Sequence, residues 1–303
     1  MNRRIRQTVF PLLAALIWGT AFSAQSVASG HLGPLTFNAL RNVIAFLALL
    51  MLDFAASKIS PARRSMFRLS GREWKRLLMG GSACGVMLAL ACNVQQLGIA
   101  DTSAGKTGFI TAMYIVIVPF FGLFQKKRIS PLLWVSVVLA AAGLYFLCVT
   151  DGFSVAPSDL IVLLCAFFYA GHILVIDHFS EELDGIQMSC VQFFVVMLLS
   201  GGGMFLLEEP TVEAISLCIG PILYCGLLSS AVGYTLQILA QRDANPTVVS
   251  LLLSLESVFA VIGGAILLDE QMGGREILGC ILMLAAVVLA QLPAPKSKAT
   301  VET

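Results

Sequence analysis

Three stretches of this chain, residues 77–100, 185–207 and 214–241, contain no Asp, Glu, Lys or Arg. A helix needs roughly 20 mostly apolar residues to cross the hydrocarbon core of a bilayer, so each stretch is long enough to span. A soluble fold would have to bury all three and cover them with polar surface. That surface is missing: of 303 residues, 58% are hydrophobic and only 12% are charged, against about 25% charge in soluble domains. The composition therefore argues against an ordinary soluble enzyme. Lys and Arg total 19, Asp and Glu 18. That balance leaves no basic footprint for a nucleic-acid partner.

Apolar runs and their punctuation predict ten helices, at 8–28, 34–54, 74–97, 103–124, 130–150, 156–176, 186–207, 214–240, 246–268 and 274–292. Gly30, Gly33 and Pro34 break the first long tract. Ser130-Pro131 reads as a helix start, with Ser as cap and Pro just inside. Asn245-Pro246 and Gly273-Gly274 mark further joins. Arg3, Arg4 and Arg6 precede an apolar run, as in a signal peptide. The tract from Val9 to Ala28 is long for such a signal, so an uncleaved first helix is expected. The eight cysteines all fall in apolar runs and form no CxxC pair, which makes them packing residues rather than zinc or redox ligands. No carboxylate–histidine cluster has metal-ligand spacing, and no cofactor is expected.

Orientation follows from Lys and Arg in short loops. With a cytoplasmic N-terminus, that side collects Arg3, Arg4, Arg6, Lys58, Arg63, Arg64, Arg68, Arg72, Lys75, Arg76, Lys126, Lys127, Arg128, Arg242, Lys296 and Lys298. The other side keeps Arg275, and Lys106 near a helix end. The predicted location is the cell inner (plasma) membrane, with both termini cytoplasmic. The acidic loop 177–185 lacks Lys and Arg, but acidic residues contribute little to the rule.

Sliding the chain along itself until Gln95 meets Gln237 also lays Asp101 on Asp243, Tyr114 on Glu256 and Gly122 on Gly264. The helix pattern repeats with the same offset. The predicted fold class is an all-α integral membrane protein with ten transmembrane helices in two five-helix repeats, residues 1–151 and 152–303. Five is odd, so the second repeat enters the membrane inverted. Many secondary transporters follow that plan, with the substrate site between repeats near mid-membrane.

Charge inside a span is costly and faces the bundle interior. Arg41 sits well inside the second helix, flanked by Asn38 and Asn42. It reads as a cavity cation that binds an anionic group, or as half of a buried ion pair. Glu256 falls mid-way along the ninth helix and suits proton-linked binding or recognition of an amine or hydroxyl. Its structural alternative is a partner for Arg41 or Lys106. Lys106 either attracts an anionic substrate or reaches the interface. Ala104-Gly105-Lys106-Thr107 ends like a phosphate loop but lacks the preceding glycines. Trp18, Gln25, Asn93, Gln95, Gln96, Tyr169, His172, Gln192, Tyr234 and Gln237 add polarity within spans, where each needs a partner or water. The expected cavity or gate set is Trp18, Gln25, Asn38, Arg41, Asn93, Gln96, Lys106, Tyr114, His172, Tyr234, Gln237 and Glu256. His172 lies near the predicted end of its helix, which favours an interface position. Pro119 should bend the fourth helix and Pro221 the eighth.

Trp18-Gly19-Thr20-Ala21-Phe22 resembles the opening of the EamA-type drug/metabolite transporters, and Arg41-Asn42-Val43-Ile44-Ala45 resembles their second-helix arginine pattern. Thr102 through Pro119, and Pro246 through Glu270 followed by Gly279, also match that family's style. The resemblance implies two inverted five-helix repeats, alternating access, and, as in many bacterial members, export of amino acids, metabolites or drugs. Glu256 departs from the pattern, which often has an apolar residue or proline there, and Lys106 departs too.

The expected activity is secondary transport of a small molecule, with membrane lipids around the protein and protons as the candidate coupling ion. No ATPase or catalytic set is visible. A lipid scramblase, a channel and a non-transporting membrane scaffold are the alternatives. The residues do not specify an oligomeric partner.

Overall fold

The structure, a computed structural model, describes residues 3–59, 64–101, 104–124, 129–148, 156–267 and 273–292. It is helical throughout, with no strand among the described residues. In chain order the helices are α1 (Arg3–Ser29), α2 (Pro34–Ile59), α3 (Gly71–Ile99), α4 (Ala104–Thr111), α5 (Tyr114–Phe124), α6 (Pro131–Cys148), α7 (Pro157–Phe179), α8 (Gly185–Leu207), α9 (Val212–Leu217) and α10 (Ile219–Tyr224). A π-helical segment, Cys225–Tyr234, then leads into α11 (Thr235–Gln241), α12 (Pro246–Leu253), α13 (Glu256–Leu267) and α14 (Gly274–Gln291).

Local chemistry sets many of these ends. Ser70 and Glu73 form a reciprocal capping box at the start of α3. Asp184 caps α8 by accepting from the amides of Ile186 and Gln187 at 3.0 and 3.1 Å. Asn245 accepts from the Thr247 amide at 2.9 Å, and Pro246 fills the first helical position of α12. The start of α2 is capped from a distant element. The Glu208 carboxylate accepts from the Leu35 and Thr36 amides at 2.9 and 2.8 Å. A Cβ on Gly33 would lie 2.3 Å from that carboxyl carbon, so only glycine lets it approach.

Among the described residues seven helices are long and apolar enough to cross a membrane, and three shorter apolar helices cover Thr107–Leu123, Pro131–Leu147 and Pro246–Ile262. Their outer faces carry large exposed apolar side chains such as Leu52, Leu90, Val138, Leu198 and Val288. In a monomeric soluble protein such a surface would demand a partner; here it suits contact with lipid tails.

Three of the expected helices are interrupted. The stretch 103–124 breaks at Ala112–Met113, and 246–268 breaks at Ser254–Leu255. The stretch 214–240 breaks at Cys218, and its spanning part begins at Ile219. Pro119 does not cause the fourth-helix break. It lies within α5, and its counterpart at the repeat offset, Val261, accompanies an equivalent break without any proline. Pro221 lies inside α10, beyond the Cys218 interruption rather than at it.

The helices pack as α2 on α8, α6 on α14, α3 on α7 and α8, and α1 on α13. Small residues permit the closest of these contacts. A Cβ on Gly279 would sit 2.6 Å from the Leu147 amide and 2.8 Å from the Gly143 carbonyl. α6 and α14 therefore touch backbone to backbone, as small residues allow in membranes.

Candidate functional site

The two helix breaks meet inside the bundle. At each one the chain keeps its hydrogen bonds by tightening: Met113 donates to the Ile110 carbonyl at 3.1 Å, and Leu255 to the Leu252 carbonyl at 3.3 Å. The amides are therefore satisfied, while the regular α-helical pattern lapses for two residues. Tyr114 opens one continuation and Glu256 the other, and Tyr114 Oη donates to Glu256 Oε1 at 3.2 Å. Both are buried.

Around this pair lies a cavity of about 40 Å³. A water needs roughly 10–15 Å³ on such a measure, so the cavity has room for a few waters and not for a metabolite. Trp18, Phe22, Gln25, Arg41, Gln95, Thr111, Tyr114, Tyr169, Ile173, Ser229, Tyr234, Gln237, Leu253 and Glu256 line it.

Side-chain hydrogen bonds fix one wall. Tyr169 Oη donates to Gln95 Oε1 at 3.1 Å, and Gln95 Nε2 donates to Thr111 Oγ1 at 3.0 Å. The Cys92 thiol lies 3.4 Å from Tyr169 Oη and 3.8 Å from Tyr234 Oη. On the opposite side Trp18 Nε1 donates to the Ser229 carbonyl at 3.0 Å, inside the π-helical segment. The Trp18 ring packs on Tyr234 at 4.6 Å between centroids. Gly19, next to Trp18, lets α1 reach this depth. A Cβ there would lie 2.5 Å from the Glu256 carbonyl oxygen and 2.9 Å from the Ala260 amide.

Arg41 is only 2% exposed. Its guanidinium stands 5.5 Å from the Phe37 ring centroid, within cation–π range, and neighbours the Cys225 thiol. No ion pair to Arg41 occurs among the described residues, and its Nε has no hydrogen-bond partner. The sequence left open whether Arg41 and Glu256 pair; they do not.

Of the expected set, Trp18, Gln25, Arg41, Tyr114, Tyr234, Gln237 and Glu256 line the cavity. Asn38, Asn93, Gln96 and His172 do not. Asn38 Nδ2 donates to Asn93 Oδ1 at 2.9 Å, and Asn93 to Ser200 Oγ at 2.8 Å, which joins α2, α3 and α8. Gln96 donates to the Gln25 carbonyl at 3.0 Å. His172 is corrected in position: α7 runs on to Phe179, and the ring is fully buried, 2.7 Å from Gln192 Oε1 and packed edge-on to Tyr234. Lys106 belongs to α4, but its side chain lies outside the described residues, as does all of Glu270.

Phe22, Gln95, Thr111, Tyr169, Ile173, Ser229 and Leu253 complete the lining from outside the expected cavity set, although Gln95 and Tyr169 were among the polar residues noted within spans. Two of the seven carried a further signal. Gln95 is the counterpart of Gln237 at the repeat offset, and Thr111 stands one turn before Tyr114. Phe22, Ile173 and Leu253 carried none, because an apolar residue facing a cavity reads like one facing lipid.

A family profile described as "EamA-like transporter family" matches the chain twice, over residues 8–149 and 156–292. The chain belongs to the EamA-like transporter family. An uncharacterized transporter of Archaeoglobus fulgidus is 28% identical over 288 residues, 92% of this chain and 84% of the relative. The uncharacterized transporter YwfM of Bacillus subtilis is 25% identical over 306 residues, 97% of this chain and 96% of its own. One crystal structure, described only as that of a protein, superposes with a TM-score of 0.76 at 17% identity and covers 95% of this chain and 97% of its own. At that identity the likeness is one of fold. As an EamA-like transporter with seven long apolar helices, the protein is a multi-pass membrane transporter, for which a small-molecule substrate is implied.

Proposed function

We propose that this transporter is a secondary carrier with ten spans, built as two inverted five-helix repeats, residues 1–151 and 152–303. One central cavity would be exposed alternately to the two sides of the plasma membrane, with both termini cytoplasmic. Contact between residues at the repeat offset carries this reading. Tyr114 bonds Glu256 at 3.2 Å, and Cys92 meets Tyr234 at 3.8 Å, both pairs separated by 142. Residues in equivalent places of two repeats touch only on the axis that relates them. In inverted-repeat carriers that axis passes through the substrate site. The matching breaks at 112–113 and 254–255, and the family's two matches along the chain, support the same plan.

A cavity of about 40 Å³ is too small for a metabolite, so a solute enters only when the helices part. Closure around a small core suits a carrier better than an open channel. Arg41 would bind solute and Glu256 would carry a coupling proton, with export the direction implied by the family resemblance. The solutes would be small metabolites, amino acids or drugs.

Reconstitution into proteoliposomes tests the activity: a carrier shows saturable counterflow of a labelled solute, and a channel shows none. Reporter fusions test the topology. Tags at the two termini should both read cytoplasmic, and a tag inserted after Asp151 should read the opposite side. Termini on different sides would overturn the ten-span plan.

A further inference from the structure

The two cavity glutamines that the repeat offset superposes, Gln95 and Gln237, have opposite fates. Gln95 has both ends of its amide engaged, by Tyr169 and Thr111. Gln237 is 2% exposed, lines the cavity and hydrogen-bonds to nothing among the described residues; its Oε1 is buried and unpaired. Arg41 is equally buried, lines the same cavity and has no carboxylate partner among the described residues. A buried polar group without a partner destabilises the fold, and more so when it is charged. Gln237 keeps an unpaired acceptor on this cavity, and Arg41, although it touches the Phe37 ring and the Cys225 thiol, keeps an unpaired Nε and a charge that no described carboxylate balances; together they point to something that arrives there.

The chemistry narrows the class. A guanidinium presents a rigid fork of N–H donors that matches a carboxylate with two parallel bonds. Arg41 is the only cation among the described cavity-lining residues, and Glu256 shares the cavity. One positive charge suits one negative charge, whereas a phosphate dianion would remain half uncompensated. Trp18, Phe22 and Leu253 add apolar wall, which favours an apolar body over a sugar.

We propose that the cavity takes its solute by a carboxylate docked on Arg41, so that the transported class is monocarboxylates with an apolar body, while the unpaired Gln237 Oε1 accepts from a donor that enters with the solute, its own ammonium or a carried water. This rests on the carrier reading and specifies its substrate. Free organic acids and amino acids share the chemistry.

The test is a thermal-shift titration of the purified full-length chain. The probes are matched sets with isobutyl, benzyl or indolylmethyl bodies, each ending in carboxylate, α-amino carboxylate, carboxamide or amine. Ligands of the folded state raise its Tm by mass action. Carboxylate members should stabilise saturably, and amides and amines should need at least about tenfold higher concentrations. Stabilisation by both carboxylate types means that the carboxylate alone is read. Stabilisation by the α-amino acids only keeps the carboxylate and makes amino acids the source. Arg41→Gln should weaken binding by about tenfold or more, and Arg41→Lys should fall between, having charge without the fork. Gln237→Glu, which sets a carboxylate in the solute's place, should abolish it; its own unliganded melting curve reports whether it is folded. Carboxamides that bind as well as acids, an unchanged Arg41→Gln protein, or no binding by any member would overturn the proposal. Counterflow separates this failure from that of the parent reading. Saturable counterflow of amines or neutral solutes alone leaves the carrier and removes the carboxylate, whereas no counterflow of any member removes the carrier.

Discussion

Tyr114 Oη donates to Glu256 Oε1 at 3.2 Å across 142 residues of sequence, and each residue is the first of a helix that resumes after a break. The bond therefore ties together the two interruptions of the bundle at one point. Tyr114→Phe keeps the ring and deletes the donor, leaving a buried carboxyl oxygen without its partner. The expected cost is about 1–3 kcal/mol, read as a lower Tm in detergent. Tyr145→Phe is the control, because Tyr145 is 39% exposed on the outer face; it should stay within about 0.5 kcal/mol.

Glu256→Gln preserves shape and can still accept from Tyr114, so the protein should fold with nearly unchanged Tm. It cannot take up and release a proton. In proteoliposomes, flux driven by an imposed pH gradient should be lost while counterflow of solute, which needs no net proton movement, persists. Unchanged proton-driven flux in this variant would remove Glu256 from coupling.

Gly19 and Gly202 predict opposite outcomes for the same substitution. A Cβ on Gly19 would stand 2.5 Å from the Glu256 carbonyl and 2.9 Å from the Ala260 amide. Both atoms are backbone, so α1 must move away from α13. Overpacking of this kind costs about 1–3 kcal/mol, and Gly19→Ala should lower Tm and also flux. A Cβ on Gly202 would meet nothing within 4 Å. Gly202→Ala in α8 should be neutral or stabilise by up to about 1 kcal/mol through helix propensity. Melting curves of the two variants side by side check the contrast.

Much of the site was readable because a bilayer penalises charge. Arg41 and Glu256 stood out as charges within apolar runs, and both line the cavity. The repeat offset pointed to Tyr114, which carries no charge of its own to mark it. Legibility failed where polarity has two uses. Asn38 and Asn93 looked like Gln25 and Gln237 but bond each other and Ser200 between helices. Which amide joins helices and which faces a cavity depends on helix rotation, and residue type does not encode that. The breaks at 112–113 and 254–255 were hidden for a related reason. No glycine or proline stands in Ala112–Met113 or Ser254–Leu255 to mark the interruption, and the Ser254 hydroxyl bond to the Leu251 carbonyl at 2.8 Å is legible only in the structure. His172 was misplaced because its helix runs past the predicted end at Ile176, to Phe179.

The turn after α11 supplies the last prediction. Asp243 has φ of 59°, in the left-handed region that Asp and Asn tolerate and branched residues avoid. Its carbonyl accepts from Gln7 at 2.8 Å and from Arg3, and its carboxylate pairs with Arg6 at 3.5 Å. Arg6 also donates to the Arg242 carbonyl at 3.2 Å. The first turns of α1 thus grip this turn mainly through its backbone. The backbone geometry should therefore matter more than the exposed ion pair, which is worth about 0–1 kcal/mol. Asp243→Asn removes the charge and keeps the tolerance for positive φ, so it should cost no more than that ion pair. Asp243→Val forbids the conformation and should cost about 1–3 kcal/mol, because the turn must rearrange and release Arg3 and Gln7. A Tm series of Asp, Asn, Gly and Val at this position checks the order: Asn and Gly should remain near the parent protein, and Val should fall well below. Equal losses for Asn and Val would mean that the charge, and not the backbone, holds α1 to the turn.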